Sequence, residues 1–362
     1  MSAIDWAAIE RELLGALDGA PFAREPCVAF ARALALGRSG PEANRLSCTP
    51  EPCTLADVDS LEALDTRERA RLEARGRDAW ARGEAACCVL NGGMATRFGG
   101  LVKGVVPAVR GRSFLEIKLA QARGAGPEPC WVMNSFATGR ATWEQLRERG
   151  LATQARPFVQ SASLRWTREG VPFRDASGRL SPCATGHGDL PDALRRSGAL
   201  RELCARGVRT LFVSNVDNLG ARPDPLVLGY HRTRGRPITA EVTCARAGDR
   251  GGILARVEGR SQLVEPLRLP AEMDLERVAL VNTNSLWIEL DALASEVPLA
   301  WYSVEKQVEG RVAVQMERIV GELTRFIDAS FLCVRRDRYL PVKRPADLER
   351  LRVDRLDPTW RF

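Results

Sequence analysis

The sequence has very little histidine and no long apolar run. Only His187 and His231 occur in the 362 residues, which excludes a zinc centre built from several histidines. No segment approaches the roughly 18 consecutive apolar residues of a membrane-spanning helix. The ten cysteines are scattered without a Cys-x-x-Cys pair, so a disulfide scaffold is not expected. Any metal chemistry would therefore depend on carboxylates and would favour Mg²⁺.

Lysine is also scarce. Four lysines stand among 53 basic residues, so arginine is the ordinary surface cation of this chain. A lysine ammonium is a compact point charge and an arginine guanidinium is a wide planar fork, so a lysine inside a motif is a candidate phosphate ligand. Codon usage is the alternative explanation of the few lysines. The net charge of +7 is diluted by 46 acidic residues spread along the chain, and binding of nucleic acid is not expected.

The first residues do not resemble an export signal. Asp5, Glu10 and Glu12 stand where a signal peptide has a basic head and an apolar block, which predicts a cytoplasmic protein that does not bind a membrane. Residues 1–83 combine amphipathic and charged helical patterns and are predicted to form an N-terminal helical segment. Residues 84–362 are predicted to form the main domain.

Short apolar runs alternate with helical stretches from residue 86 onwards. The predicted strands are 87–91, 130–134, 210–215, 237–244 and 278–288, and helices are predicted over 113–122, 140–148 and 224–233. Several of these runs are almost continuously apolar, which is typical of strands covered on both faces. The pattern predicts an α/β fold with a doubly wound, mostly parallel sheet.

Ligands of such sheets bind beyond the carboxyl ends of the strands. Polar residues follow or end three of the predicted strands, namely Asn91, Asn134 and Asn215. We therefore expect the site to be built at this edge.

A glycine-rich segment, NGGMATRFGGLVKG, follows the first of these strands at residues 91–104. Its glycines allow the backbone to approach a ligand, and exposed amides there can bind phosphate. Arg97 and Lys103 favour an anion site over an ordinary strand-to-helix turn. The spacing is neither that of the Walker A loop nor Gly-x-Gly-x-x-Gly, so a nicotinamide dehydrogenase is not indicated.

Three further segments carry candidate chemistry. Asp217 in SNVDNLG ends a buried strand, where a carboxylate either holds Mg²⁺ with substrate phosphates or caps the next turn. His187 in ATGHGDL lies between two glycines, which gives it no apolar face to join. Asn282 and Asn284 alternate onto one side of a strand, where they either bind hydroxyls or form a cross-strand ladder. Lys343 ends a short apolar run before a helix.

An ordered set of motifs resembles the UTP–glucose-1-phosphate uridylyltransferase family. The motifs cover residues 86–350 and read LNGG…TRFGG…K, WVMNSFAT, FVQS, TGHGDL, LFVSNVDNLGA, GGILARVEGRSQLVE, VNTNSLW, VQMERIVGEL and YLPVKRPADL. The resemblance implies a Rossmann-like nucleotidyltransferase core. The related UDP-N-acetylhexosamine pyrophosphorylases share this architecture, but the MNSF, GHGD and SNVDNLG forms are similar to the glucose branch.

The resemblance also implies roles for individual residues. The nucleotide would be bound by Gly92, Gly93, Met94, Arg97, Gln160, Gly186 and His187, of which His187 would touch phosphate. The sugar hydroxyls would be bound by Asn215, Gly252, Glu265, Asn282 and Asn284. Asp217 would hold Mg²⁺, and Lys103 and Lys343 would act on the phosphates at the reacting centre. The other two lysines, Lys118 and Lys306, match no family position and are expected at the surface.

The chain departs from the family pattern at a few positions. Ala95 stands where the family has glycine, and it would be strained if that position requires a positive φ. Lys103 comes one residue early, and Ser285 replaces an asparagine, which could change sugar choice. The C-terminal β-helix of eukaryotic members has no counterpart after Lys343, so the resemblance is to a short, bacterial-type member.

The resemblance implies synthesis of UDP-glucose and pyrophosphate from UTP and glucose 1-phosphate, with Mg²⁺ as cofactor. The alternatives are the same chemistry on galactose, uronic acid or N-acetylhexosamine 1-phosphate, or a catalytically weak UDP-sugar-binding protein. The sequence leaves the oligomeric state, monomer or dimer, open.

Overall fold

The computed structural model describes residues 4–95, 101–249 and 251–354. Its helices are α1 Trp6–Leu13, α2 Arg24–Ala35, α3 Thr66–Ala81, α4 Phe114–Ala125, α5 Gly139–Glu148, α6 Leu190–Arg196, α7 Ala199–Ala205, α8 Pro225–Arg234, α9 Leu323–Phe326 and α10 Pro345–Asp354. Its strands are β1 Glu51–Pro52, β2 Asp59–Ser60, β3 Ala85–Asn91, β4 Met94–Ala95, β5 Leu101–Val102, β6 Pro107–Val109, β7 Arg112–Ser113, β8 Cys130–Asn134, β9 Ala155–Val159, β10 Ala162–Leu164, β11 Pro182–Ala184, β12 Thr210–Asn215, β13 Ile238–Cys244, β14 Ile253–Val257, β15 Arg260–Val264, β16 Leu280–Glu289, β17 Tyr302–Val308, β18 Arg311–Glu317 and β19 Ala329–Cys333.

The main sheet has the strand order β2-β19-β13-β16-β12-β3-β8-β9. Neighbouring strands are parallel except around β16, which is antiparallel to both β12 and β13. The five predicted strands and the three predicted helices are all present, and the predicted mostly parallel α/β sheet is confirmed.

Helices cover both faces of this sheet. Helices α3, α4, α8 and α10 share one apolar core with residues such as Val89 and Phe212 of the sheet. Helices α6 and α7 share a second core with the alternate residues of the same strands, such as Cys88 and Val213. Since successive strand residues point to opposite faces, burial on both sides explains the continuous apolar runs of the sequence.

The first 83 residues are not purely helical, so this part of the prediction is incomplete. Strand β1 pairs with β14, and β2 pairs with β19 at the end of the main sheet. Helices α1 and α2 pack against Leu164, Trp166 and Val314 in a third apolar cluster. Within the described residues, no helix is both long and apolar enough to cross a membrane.

Candidate active site

A cavity of about 1390 Å³ lies beyond the carboxyl end of β12. It is lined by eight of the predicted site residues, His187, Asn215, Asp217, Gly252, Glu265, Asn282, Asn284 and Lys343. These residues come from β12, β16 and the loops around them. They are far apart in the sequence and become neighbours only in the folded chain. The cavity therefore occupies the edge of the sheet where a ligand site is expected.

Asp217 is the electrostatic centre of this cavity. Its Oδ2 accepts a hydrogen bond from Lys103 Nζ at 2.7 Å and another from Lys343 Nζ at 3.3 Å. Burial acts to raise the pKa of Asp217, but the two ammonium groups outweigh it and hold the pKa below its usual range. Asp217 is therefore a carboxylate at neutral pH.

The second carboxylate oxygen of Asp217 has the surroundings expected of a metal ligand. Asp217 Oδ1 is buried and accepts no hydrogen bond from any residue that the structure describes. In the same described part of the chain, no group of three or more His, Cys, Asp or Glu side chains could enclose a metal. A buried carboxylate oxygen that lacks a donor is one that a cation can satisfy, and Mg²⁺ commonly takes one or two protein carboxylates and completes its shell with phosphates and water.

The end of β3 positions Lys103. Asn91 donates to Asn134 Oδ1 at 2.8 Å and to Thr142 Oγ1 at 2.9 Å, which fixes its side chain. Gly104 packs directly on Asn91, since a Cβ at residue 104 would lie 2.2 Å from Asn91 Oδ1. Lys103 Nζ also donates to the carbonyl of Val342. Although Lys103 stands one residue earlier than the lysine of the family pattern, its ammonium reaches Asp217.

His187 faces the cavity with one defined tautomer. Its Nδ1 accepts a hydrogen bond from the backbone N–H of Val320 at 3.0 Å, so the proton of the neutral ring lies on Nε2. Burial lowers the pKa of His187 to about 4, although the nearby Glu317 and Asp217 act to raise it. The ring is therefore a neutral N–H donor at physiological pH.

The predicted sugar residues form one hydrogen-bonded group. Asn284 Nδ2 donates to Asn215 Oδ1 at 2.9 Å, and Asn282 Nδ2 donates to Glu265 Oε1 at 3.4 Å. Asn282 and Asn284 both line the cavity, as their predicted place on one side of the strand requires. The pairing of β16 with β13 is nevertheless irregular here, and Asn284 has a φ of +55°.

The protonation state of Glu265 is set by its surroundings. Burial raises its pKa to about 7, against the hydrogen bond from Asn282, and the neighbouring Glu322 also acts to raise it. Glu265 can therefore serve as an acceptor or as a donor to hydroxyl groups close to neutral pH.

A second group of predicted residues lies next to the end of β3. Gln160 packs against Gly92, where a Cβ would lie 1.9 Å from Gln160 Nε2. Gln160 Oε1 is buried and accepts no hydrogen bond within the described ranges. Gly186 has a φ of +88°, and a Cβ there would lie 2.5 Å from the carbonyl oxygen of Arg318. This group offers amide donors and acceptors suited to a nucleobase edge.

The glycine-rich loop is described in part. Among the described residues, nothing lies within 4 Å of the position a Cβ would take on Gly93, so this backbone is open to a ligand on that side. Met94 and Ala95 pair with Val102 and Leu101 in a short antiparallel ribbon. The extended conformation of Ala95 means that the expected left-handed strain does not arise. Arg97 lies outside the described residues.

Asp189 is a positioning residue to which the sequence analysis gave no role, although it belongs to the quoted GHGD motif. Its fully buried carboxylate accepts a hydrogen bond from the backbone N–H of Ser161 at 2.6 Å and contacts the guanidinium of Arg318. It thereby ties the loop of His187 to the residue that follows Gln160. A buried carboxylate needs such partners. An aspartate directly before the apolar start of α6 was therefore the feature of the sequence that could have indicated this role.

Lys118 is buried, so its expected surface position is wrong. Only 3% of this residue is exposed, and its ammonium donates to Ser214 Oγ at 3.3 Å and to the carbonyl of Ala221. Burial lowers the pKa of Lys118 to about 7, while Cys87, Cys130 and Asp217 act to raise it. Lys306 is half-exposed and lies near Glu317, as a surface lysine is expected to be.

The doubly wound sheet defines a protein of the Rossmann-like α/β class, with a carboxylate and two lysines at the carboxyl edge where such sheets bind their ligands. Comparison with known proteins gives the particular family. The chain belongs to the UTP–glucose-1-phosphate uridylyltransferase family, whose sequence profile matches residues 47–358.

Individual relatives agree with this assignment. The UTP–glucose-1-phosphate uridylyltransferase of Solanum tuberosum is 32% identical over 281 residues, which are 72% of this chain and 59% of that protein. The enzyme of the same name from Saccharomyces cerevisiae is 32% identical over 292 residues, covering 73% of this chain and 58% of the relative. The chain thus spans less than two thirds of the length of these relatives.

A solved structure extends the similarity to nearly the whole fold. A variant of UDP-glucose pyrophosphorylase from Leishmania major, crystallised with UDP-glucose, has a TM-score of 0.76 and 26% identity. The alignment covers 97% of this chain and 79% of that one.

Proposed function

We propose that this protein makes UDP-glucose and pyrophosphate from UTP and α-D-glucose 1-phosphate. The proposal rests on family membership and on one structural observation, the convergence of Lys103 and Lys343 on the carboxylate of Asp217, which lines the large cavity. The Leishmania major relative, crystallised with UDP-glucose, supports the same ligand class.

The proposed reaction needs no protein nucleophile. A phosphate oxygen of glucose 1-phosphate attacks the α-phosphorus of UTP, the bond from that phosphorus to the bridging oxygen of the β-phosphate breaks, and pyrophosphate leaves with the electron pair. Catalysis then consists of positioning the two phosphates and neutralising their charge. Lys103 and Lys343 supply two positive charges for this purpose.

We assign the metal position of this reaction to Asp217 Oδ1. The free buried oxygen fits Mg²⁺ shared with the nucleotide phosphates. When bound, Mg²⁺ supplies neutralisation of phosphate charge. The lysines hold the other oxygen, Oδ2, so the carboxylate stays ionised and keeps its orientation.

The remaining contacts would select the two substrates. Gln160 Oε1 can accept the N3–H of uracil, since it lacks another donor among the described residues. His187 Nε2–H can donate to a nucleotide phosphate. Glu265, Asn282 and Asn284 present the amide and carboxyl groups that bind sugar hydroxyls.

The test is a panel of sugar 1-phosphates incubated with UTP and Mg²⁺, scored by release of pyrophosphate. The proposal predicts the highest kcat/KM with glucose 1-phosphate. A higher kcat/KM with galactose, uronic acid or N-acetylhexosamine 1-phosphate would show that the enzyme catalyses the same reaction on a different sugar. An increase of Tm with UDP-glucose and no turnover with any sugar would identify a binding protein instead. The cytoplasmic location stays a prediction.

A further inference from the structure

The buried lysine of α4, Lys118, lies behind the candidate active site and outside its cavity. Helix α4 packs against β3 and β8, and Lys118 faces the side of the sheet that carries Cys87 and Cys130. Its ammonium contacts Ser214 Oγ, near the end of β12, and the carbonyl of Ala221. The side chain therefore cannot contact a ligand in the cavity directly.

The two acceptors of Lys118 bracket the segment that carries the site. Residues 215–220 lie between Ser214 and Ala221 and include Asn215 and Asp217. A neutral contact of the same helix supports this segment, since Gln121 Nε2 donates to the carbonyl of Leu219 at 3.0 Å. Helix α4 thus holds the segment at both ends and near its middle.

A buried lysine at this position is unfavourable for the stability of the fold. In the described part of the chain no carboxylate lies within ion-pair distance of Lys118, so the buried charge is bound by two neutral oxygens alone. Burial of an ammonium without an anionic partner is unfavourable, because the ion loses its hydration and gains only neutral acceptors in return. An apolar side chain of similar length would fill the same volume without that cost.

We propose that Lys118 is a positioning residue, which joins the two ends of the Ser214–Ala221 segment and so fixes the Asp217 carboxylate for Mg²⁺ and the nucleotide phosphates. In its protonated form it also places a positive charge near Asp217. This inference rests on the proposed function of the Asp217 site. It adds a residue outside the cavity that holds the segment carrying Asp217.

The test measures the affinity for UTP by calorimetry, once with Mg²⁺ and once with EDTA. The ratio of the two dissociation constants reports the benefit that Mg²⁺ gives through Asp217, and it requires no turnover. Lys118→Met keeps the length and volume of the side chain and removes the ammonium. We expect the ratio to fall by about tenfold in this variant, the lower end of the effect of residues that orient metal ligands.

A matched control separates positioning from loss of packing. Ile117 is a fully buried neighbour on α4 and is not among the residues that line the cavity. Ile117→Val should lower Tm by a few degrees, because it removes one buried methyl group, and leave the ratio unchanged. If Lys118→Met does not fold, Ser214→Ala removes one acceptor of the ammonium and should lower the ratio by about threefold.

A ratio in Lys118→Met within about twofold of the wild type would overturn the proposal, because residues that orient a metal ligand have larger effects. A wild-type ratio near one, or an unchanged ratio in Ser214→Ala, would overturn it as well. The proposed function fails on a different observation, namely no release of pyrophosphate by the wild type. If the protein binds Mg²⁺ with UTP but has no turnover, the ratio of dissociation constants should still fall in Lys118→Met. The two proposals can therefore fail separately.

Discussion

At the scale of single residues, Asp217 determines the charge balance of the site. Its two oxygens have different surroundings, since Oδ2 binds Lys103 and Lys343 and Oδ1 accepts no hydrogen bond within the described residues. One carboxylate can therefore orient two cations and still offer a ligand to a metal.

The two lysines should be needed for turnover. We expect Lys103→Met and Lys343→Met each to lower kcat by about 10²–10³, as loss of one group that stabilises transition-state charge does. Lys306→Met is the control, because Lys306 is half-exposed and lies outside the cavity lining. Steady-state rates of pyrophosphate release decide the matter, and a lysine variant as fast as Lys306→Met would refute the role of that lysine.

His187 should make the stability of the protein depend on pH. Its pKa is lowered to about 4 in the fold from an unfolded value of 6.5, so the unfolded chain binds more protons between these values. Stability should therefore be complete above pH 6.5 and decline as the pH falls towards 4. From pH 7 to pH 5 the loss due to this group is about 2 kcal/mol.

Chemical denaturation of the wild type and of His187→Gln at both pH values measures this contribution. The wild type should lose more stability than the variant on acidification. Equal losses in the two proteins would show that the folded pKa of His187 is not lowered.

Most site residues could be predicted because they belong to ordered motifs at the ends of apolar strands. Lys118 could not be placed by the same means, since its position depends on packing on the far side of α4. A signal was nonetheless present. Lys118 is flanked by Ile117 and Leu119, and a helix that is apolar around most of its circumference is buried.

At the scale of elements, a close helix contact joins α3 of the N-terminal segment to α8, which covers one face of the main sheet. Helices α3 and α8 cross at Gly76 and Gly229. A Cβ on Gly76 would lie 1.8 Å from the carbonyl oxygen of Pro225, and a Cβ on Gly229 would lie 1.8 Å from that of Leu72. Backbone atoms meet here, so a side chain can be accommodated only if the helices separate.

Gly229→Ala should therefore destabilise the protein by about 1–3 kcal/mol, the usual range for overpacking. Tm and the free energy of unfolding measure this cost. The control is Gly124→Ala, an exposed position in α4 where nothing among the described residues lies within 4 Å of the added Cβ. A loss in Gly124→Ala as large as that in Gly229→Ala would contradict the close crossing of these helices.

Long apolar runs made the central strands predictable, and the edge elements were harder. Strands β1 and β2 have two residues each, which is too short for a period-2 pattern. The irregular pairing at Asn284 was also hidden, because it depends on the partner strand β13, which lies about 40 residues away along the chain.

At the scale of the whole molecule, the cavity is assembled from distant parts of the chain. Residues between His187 and Leu351 line it, and the group of Gln160 and Gly92 lies beside the end of β3. A ligand that bridges these parts should stabilise the entire fold, because it binds the folded state alone.

UDP-glucose should therefore raise the stability by about 2.7 kcal/mol at a concentration about 100-fold above its Kd. ADP-glucose is the control, since it keeps the diphosphate and the sugar but lacks the uracil that Gln160 is proposed to bind. Scanning calorimetry with each nucleotide measures both effects. An equal rise of Tm with the two nucleotides would contradict recognition of uracil by this group.

The central claim is that the Asp217 carboxylate organises the phosphates of UTP for attack by a sugar phosphate. Its most direct test is the kcat of Asp217→Asn for pyrophosphate release from UTP and glucose 1-phosphate at saturating Mg²⁺. Asparagine keeps the shape of the side chain and removes the charge that binds two lysines and that we propose holds Mg²⁺. We predict that kcat falls by about 10² or more, while UDP-glucose still raises Tm; a kcat close to that of the wild type would contradict the account.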